Sequence, residues 1–509
     1  MEDYYDYIVV GMGAGGATVL RMLSDAGYSV LGIEAGGNHD KDPLILDSVN
    51  APLLEPLYTY KYLWNQETAP NPSLDNRSLN YTTGQLLGGG TSINGLQYVR
   101  STNSYWSRWE AINGSYWSPS KVIRRYKKLE KYFNVPPSTV YGTKGLMKIR
   151  KAPIEQTSMA IKFTTALARA TGVNMIDDYN DPNEPIGVFT RWTLFEQPNG
   201  NRASSSTDFL EPIRCKLLTN SVVDKVIIDS KSRVKGVNVM RNGKCKKIYA
   251  NREVILSTGI HSNEILQRSG IGPKAYLESL NINVVFDNPA VGAMSRNHLI
   301  NIAAFTINPL DYPGTGTDPN ALYVGGGFIP APNIPGKRGF QWIGINPSED
   351  QFVVAFYNLN PSSVGTDQIQ SKNPFQVSAV KEDLLGNPVD LESIVAVYQQ
   401  QVTQLAINLA AIDPRYQLVS PTLEVINNTK LLKEFIIETL EHAHHWTGTC
   451  RMAPLNQGGV VDMYGKVYGV KGLRVADISV APIEPDGNTA GPAFQVGYAI
   501  AQNIIKNGI

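Results

Sequence analysis

The run Asp6-Tyr7-Ile8-Val9-Val10 passes directly into Gly11-Met12-Gly13-Ala14-Gly15-Gly16. An apolar strand ending in GxGxxG has few folding options, because the glycines suit a sharp turn that opens straight into a helix. A helix-like stretch follows from Ala17 to Ala26, then a second strand from Tyr28 to Ile33 that closes on Glu34. The parts make a βαβ unit of the dinucleotide-binding kind. In it Gly11 turns the chain, Gly13 admits a pyrophosphate close to the backbone, and Gly16 lets helix and strand pack closely. The N–H groups and dipole at the helix start face the phosphates, and Glu34 is placed to accept from ribose hydroxyls. An acid there disfavours a 2′-phosphate.

The remaining bulk properties mostly exclude. Forty-six lysines and arginines nearly cancel 45 aspartates and glutamates, so no global field recruits nucleic acid or an acidic membrane. The basic run Arg124-Arg125-Tyr126-Lys127-Lys128 reads as a solvated helix face. Three widely spaced cysteines, Cys215, Cys245 and Cys450, give neither a disulfide framework nor a zinc pattern. No apolar run reaches the length of a membrane span, and no signal-peptide pattern precedes the first strand. Sequons at Asn76, Asn80, Asn113 and Asn427 are compatible with export, so the compartment stays open.

Along the chain, the polar stretch from Asn38 to Asn80 reads as a long surface excursion or lid. The loop Gly84-Gln85-Leu86-Leu87-Gly88-Gly89-Gly90-Thr91-Ser92-Ile93-Asn94-Gly95 suits backbone lying against a ligand. Pro119 to Phe133 predicts an amphipathic helix, and Val222–Ile228 with Val234–Val239 a hairpin. Val254 to Ser257 reads as a strand entering Thr258-Gly259. Between about 300 and 440 the pattern turns mixed and strand-like, as in a separate substrate-facing layer, and Gly472 to Ile505 returns to strand–loop–helix.

Taken in order, these motifs resemble those of the GMC (glucose–methanol–choline) flavin oxidoreductases, including the aryl-alcohol oxidase and choline dehydrogenase types, over essentially the whole chain. The resemblance rests on Gly11–Gly16 with Glu34, Gly88–Asn94, Leu256–Pro273, His445–Met452, Arg474–Asp477 and Gly487–Thr489. It implies an α/β fold: a Rossmann-like FAD-binding domain with an inserted α+β substrate domain on an antiparallel sheet. The FAD-binding pieces would be 1–155, 203–298 and 456–509, and the substrate pieces 156–202 and 299–455. Asn297, before His298, departs from a common aspartate.

By the same resemblance His445 and Asn488 are the catalytic pair. Asparagine cannot titrate, so the base role falls on His445, which suits neutral pH, while Asn488 orients the substrate oxygen. The resemblance assigns FAD binding to Gly11, Gly13, Ala14, Gly15, Gly16, Glu34, Ala35, Gly84, Leu87, Gly88, Gly89, Thr91, Asn94, Gly95, Val223, Thr258, Gly259, Asp477, Asn488 and Thr489. Asp477 would serve the ribityl or phosphate region, or else cap a strand end. Ile93 stands where covalently flavinylated relatives carry histidine, so the FAD is expected to be dissociable. The helix expected from Pro492 to Ile505 would point its positive end at the flavin.

The expected activity is oxidation of a primary alcohol to an aldehyde, with oxygen or another electron acceptor. Tyr98, Trp446 and the aromatics from Phe328 to Tyr357 suit an aryl or other apolar alcohol, or are ordinary core. The alternative is a fold kept for a mainly structural or packaging role, as considered for giant-virus members. For either reading the location stays open, an extracellular or virion-associated one being compatible with the sequence. A nicotinamide-dependent dehydrogenase would leave the glycine loop and the C-terminal pair unexplained. The cluster His442, His444, His445 has no convincing partner for a metal, and on an extended strand His442 and His444 would share a face.

Overall fold

The computed structural model describes residues 4–48, 62–134, 138–151, 158–183, 185–211, 216–312, 323–333 and 336–507. The βαβ expectation holds. Strand Tyr4–Val10 enters helix Ala14–Asp25 and then strand Val30–Ile33, which pairs with the first in parallel. Gly11 sits at φ +87°, and a methyl group on Gly16 would lie 1.8 Å from the Gly11 carbonyl. Only glycine therefore permits this turn and this helix–strand approach.

Seven strands form the first sheet, in the order Val222–Ile228, Val234–Arg241, Lys244–Leu256, Tyr4–Val10, Val30–Ile33, Lys216–Leu218, with Leu473–Val475 added beside Leu256. The expected hairpin at 222–239 is present as an antiparallel pair. Its neighbour is longer than expected. Lys244–Leu256 spans 13 residues, antiparallel to Val234–Arg241 along its polar first half and parallel to Tyr4–Val10 and Leu473–Val475 along its buried end. The last helix, Ala490–Asn507, packs on Ala14–Asp25 so closely that a methyl group on Gly497 would lie 2.5 Å from the Gly15 carbonyl oxygen.

A second, wholly antiparallel sheet runs Leu418–Ser420, Leu299–Thr306, Gln351–Asn358, Phe340–Ile345, Tyr323–Ile329, Gly187–Phe189, with Glu441–His442 beside Leu299. Strand alternation splits its side chains between two faces. Leu299, Phe305, Trp342, Phe352 and Phe356 face a core shared with helices Ser158–Thr171, Pro388–Ala396 and Thr403–Ile412. The other face looks toward the first sheet. The fold is thus the α/β FAD-domain architecture with an antiparallel second layer that the motifs implied.

Three expectations need correction. The helix from Pro119 stops at Leu129, because Glu130 turns inward to a buried ion pair with Arg100 at 2.5 Å and continues as a short strand. The stretch 38–80 is not all loop: it includes helix Pro43–Leu46 and strand Leu63–Glu67, paired with Asn80–Gly84, while 49–61 lies outside the described residues. The Asn113 sequon is buried, with its amide donating to the Met452 carbonyl. Of the two readings open for Tyr98, the core one holds: it is buried and bonded to Glu130. Cys215 and the 155/156 boundary also fall outside the described residues, and no described helix is long and apolar enough to cross a membrane.

Candidate active site

Between the two sheets lies a cavity of about 620 Å³, within the range of small-molecule and cofactor sites. Most of the residues assigned to FAD border it: Gly11, Gly13, Ala14, Gly15, Glu34, Ala35, Gly84, Gly89, Thr91, Asn94, Gly95, Val223, Thr258, Gly259, Asp477, Asn488 and Thr489. Three do not. Gly16, Leu87 and Gly88 stand behind the wall: Gly16 against the Gly11 carbonyl, Leu87 in the core, and Gly88 bonded through its N–H to the Met12 carbonyl. Their part is to shape the backbone that meets the cavity.

The walls fit an elongated dinucleotide. Gly13, the residue before the first helix, offers no side-chain cap, and a methyl group there would meet nothing within 4 Å. The helix start is thus open to the cavity, as phosphate binding requires. Glu34 is buried beside it, its carboxylate accepting from the N–H groups of Met12 (2.9 Å) and Gly36 (3.1 Å). Burial nonetheless raises its pKa to about 7. Asp477 accepts from Ser262 Oγ (2.6 Å), Gly259 N (3.1 Å) and Ser479 N (2.8 Å), so it ties the first-sheet loops together while facing the cavity. Asn94 Oδ1 accepts from buried Arg202 at 2.8 Å.

At the other end stand His445 and Asn488. Asn488 Nδ2 lies 3.4 Å from His445 Nε2, and Asn488 Oδ1 accepts from Gln341 Nε2 at 2.8 Å. Gln341 therefore turns the amide so that its NH₂ faces the imidazole. Behind His445, His298 places its Nδ1 2.8 Å from His445 Nδ1 and its Nε2 2.8 Å from the Pro485 carbonyl. A carbonyl only accepts, so His298 carries its proton on Nε2 and has a bare Nδ1. His445 must then donate from Nδ1, which leaves Nε2 as a lone pair directed at Asn488.

Electrostatics keep this pair neutral. Burial pushes His298 down to about 4, and burial with the neighbouring His298 and His444 holds His445 well below the ordinary histidine value. Glu484, 3.5 Å from His298, is raised by burial to about 8 and is thus an uncharged acid at neutral pH.

The loop bearing His445 is held by a charged group one layer out. Asn297 Oδ1 accepts from the His445 backbone N–H at 2.8 Å, and Asn297 Nδ2 donates to Glu382 Oε1 at 3.1 Å. Glu382 also accepts from Trp446 Nε1 (2.7 Å) and pairs with His442 Nδ1 (2.5 Å), whose Nε2 meets the Asn80 carbonyl at 2.7 Å. Both His442 nitrogens face acceptors, so it is an imidazolium: Glu382 raises its pKa, and the cation lowers that of Glu382. This explains the departure at 297, since an aspartate there would face Glu382 with a second negative charge. The extended-strand picture of 442–445 fails because His444 adopts φ +55°.

Sequence reasoning missed His298, Gln341 and Glu382 as site residues, and also His261, which bonds Glu264 and Thr83 at the cavity wall. His298 beside the noted Asn297 was the one available signal. Gln341 and Glu382 carry none, because only the fold brings them near 445: Gln341 on strand Phe340–Ile345 and Glu382 just after the separate strand Ala379–Lys381.

A family model described as GMC oxidoreductase matches residues 5–300, and its C-terminal counterpart matches 361–497. An oxygen-dependent choline dehydrogenase of Pseudomonas fluorescens is 30% identical, covering 99% of this chain and 94% of that protein. Its counterpart from Yersinia pestis is 30% identical over 98% and 93%. Among solved structures, a formate oxidase variant of Aspergillus oryzae superposes with TM-score 0.89 at 23% identity, covering 100% and 99% of the chains. A fungal aryl-alcohol oxidase gives 0.86 at 21% identity with full coverage of both.

Proposed function

The chain belongs to the GMC oxidoreductases, which work with FAD, and from that premise we propose that it oxidises a primary alcohol to the aldehyde. The observation that carries this reading is the bare Nε2 of His445 facing the amide NH₂ of Asn488 on the cavity wall. An alcohol oxygen seated on the cavity side of both donates its proton to Nε2 and accepts from Asn488 Nδ2. As the proton leaves, the amide stabilises the charge that develops on oxygen. Gln341 holds that amide in place, and His298 holds the imidazole in the tautomer that can act as base. Bound FAD supplies the acceptor for the hydride that leaves carbon. The residues placed to hold it are the Gly11–Gly15 turn, Glu34, Val223, the Gly89–Gly95 loop, Asp477 and Thr489. Ile93 has no atom to bond a flavin, so acid denaturation should release all flavin into the supernatant.

The test is anaerobic mixing of the yellow protein with a panel of primary alcohols, including aryl alcohols and choline. Bleaching of the flavin by at least one of them is expected. A bound flavin that none of them reduces overturns the reading.

A further inference from the structure

Three rows of side chains on the cavity face of the second sheet lead away from the His445–Asn488 pair. The strand registers fix them. Ile300 pairs with Tyr357 and Tyr357 with Gln341; Ile302 pairs with Ala355 and Ala355 with Ile343; Val353 pairs with Ile345. The first row is at the reacting end, since Gln341 bonds Asn488 and the Tyr357 ring is 6.3 Å from that of His445. The second row has a small residue, Ala355, between two isoleucines, which makes a trough. The third row continues it to Ile345, and Ile302 at the trough's side is 45% exposed. Two steps of two residues span about 13 Å along a strand.

Charge is confined to the opposite side. The cavity-lining carboxylates and guanidinium among the described residues are Glu34, Glu264, Arg268 and Asp477. All four lie on strands, loops or helices of the first sheet, where the dinucleotide is read. Beyond Tyr357 the trough is aliphatic along Ile302, Ala355, Ile343 and Ile345, with Tyr323 beside Ile345 at its far corner. A cationic ammonium laid in the trough would find no carboxylate beside it.

We propose that the substrate is an uncharged primary alcohol with an extended aliphatic body laid along the Ile302–Ala355–Ile343 trough, rather than a quaternary ammonium alcohol. The proposal rests on the alcohol-oxidising reading above. A chain of roughly eight to ten carbons would run from the reacting oxygen to the rim. Each methylene covered by the trough leaves water, so the gain should accumulate along the chain.

The experiment measures anaerobic flavin reduction of the FAD-loaded protein by ethanol, 1-butanol, 1-hexanol, 1-octanol, benzyl alcohol and choline. Reduction rate divided by half-saturating concentration should rise about threefold per added methylene up to octanol, with choline far below. Ala355→Phe fills the trough and should lower the octanol-to-ethanol ratio at least tenfold (an estimate from the same area argument). Ile302→Thr, at an exposed edge that folding tolerates, should lower it severalfold. A ratio that does not change with chain length, unchanged ratios in both variants, or choline or benzyl alcohol surpassing octanol would overturn the trough while leaving alcohol oxidation intact. Failure of every alcohol to bleach the flavin would overturn both.

Discussion

His298 and His445 meet Nδ1 to Nδ1 at 2.8 Å, and the Pro485 carbonyl on the far side of His298 decides which of them holds the proton. The arrangement fixes His445 as a donor at one nitrogen and a lone pair at the other. His298→Ala removes that restraint, and flavin reduction by alcohol should slow on the order of 10²-fold, within the usual contribution of a positioned base. FAD content, read from the absorbance of the purified variant, should match the parent. Unchanged reduction rates would mean that His445 needs no partner.

Because His445 is held below the ordinary histidine pKa, its base form persists to lower pH than that of a free imidazole. A base must be unprotonated to act, so the reduction rate should stay level from pH 8 through 6.5 and fall only in more acid buffer. His445→Ala should abolish this limb and slow reduction about 10²–10⁴-fold. Stopped-flow traces from pH 5 to 8.5 check both points. A midpoint at 6.5 or above contradicts the buried, neutral imidazole.

Asn297→Asp sets a carboxylate against Glu382 and removes the amide that donates to it. Leaving a buried charge short of a partner costs about 1–3 kcal/mol, and thermal unfolding should show that loss. Adding Glu382→Gln restores a donor–acceptor match at 297 and should recover part of the loss, though it leaves the His442 cation unpaired. A double-mutant cycle in which the two effects simply add would show that residues 297 and 382 do not communicate.

Glu484 is raised from 4.5 to about 8 in the folded protein, whereas the unfolded chain releases the proton near 4.5. Between those values the folded state binds more protons, so stability declines as pH rises from about 5 to 8. Glu484→Gln removes this group's share, on the order of a few kcal/mol over that window. Melting temperatures at pH 5 and pH 8 should differ less in the variant than in the parent. An identical difference would indicate that Glu484 is ionised in the fold.

The features legible in the sequence were those whose chemistry is local. Gly11–Gly16 dictates its own turn, and Val222–Val239 its own hairpin, because backbone geometry is set by near neighbours. His445 and Asn488 were named through motif order rather than physics, and the structure sets them side by side. Sequence gave no view of what surrounds them. The tautomer of His445 depends on a residue 147 positions away, and Asn297 makes sense only beside Glu382. The strand Lys244–Ala250 was missed because its lysines face solvent, which hides the alternation that marks a half-buried strand. Leu87 and Gly88, which the resemblance assigns to FAD, stand in the layer behind the cavity wall, a distinction that glycine-rich composition does not carry.

The strand Leu473–Val475 completes the edge beside Leu256, and Gly497 on the last helix closes against Gly15 on the first. A methyl group on Gly15 would likewise strike the Ala476 carbonyl at the end of that strand. The turn that would meet the phosphates thus borrows its rigidity from segments far removed along the chain. A bulkier side chain at Gly497, although it touches no ligand, would push the first helix off its support and loosen the nucleotide site from behind.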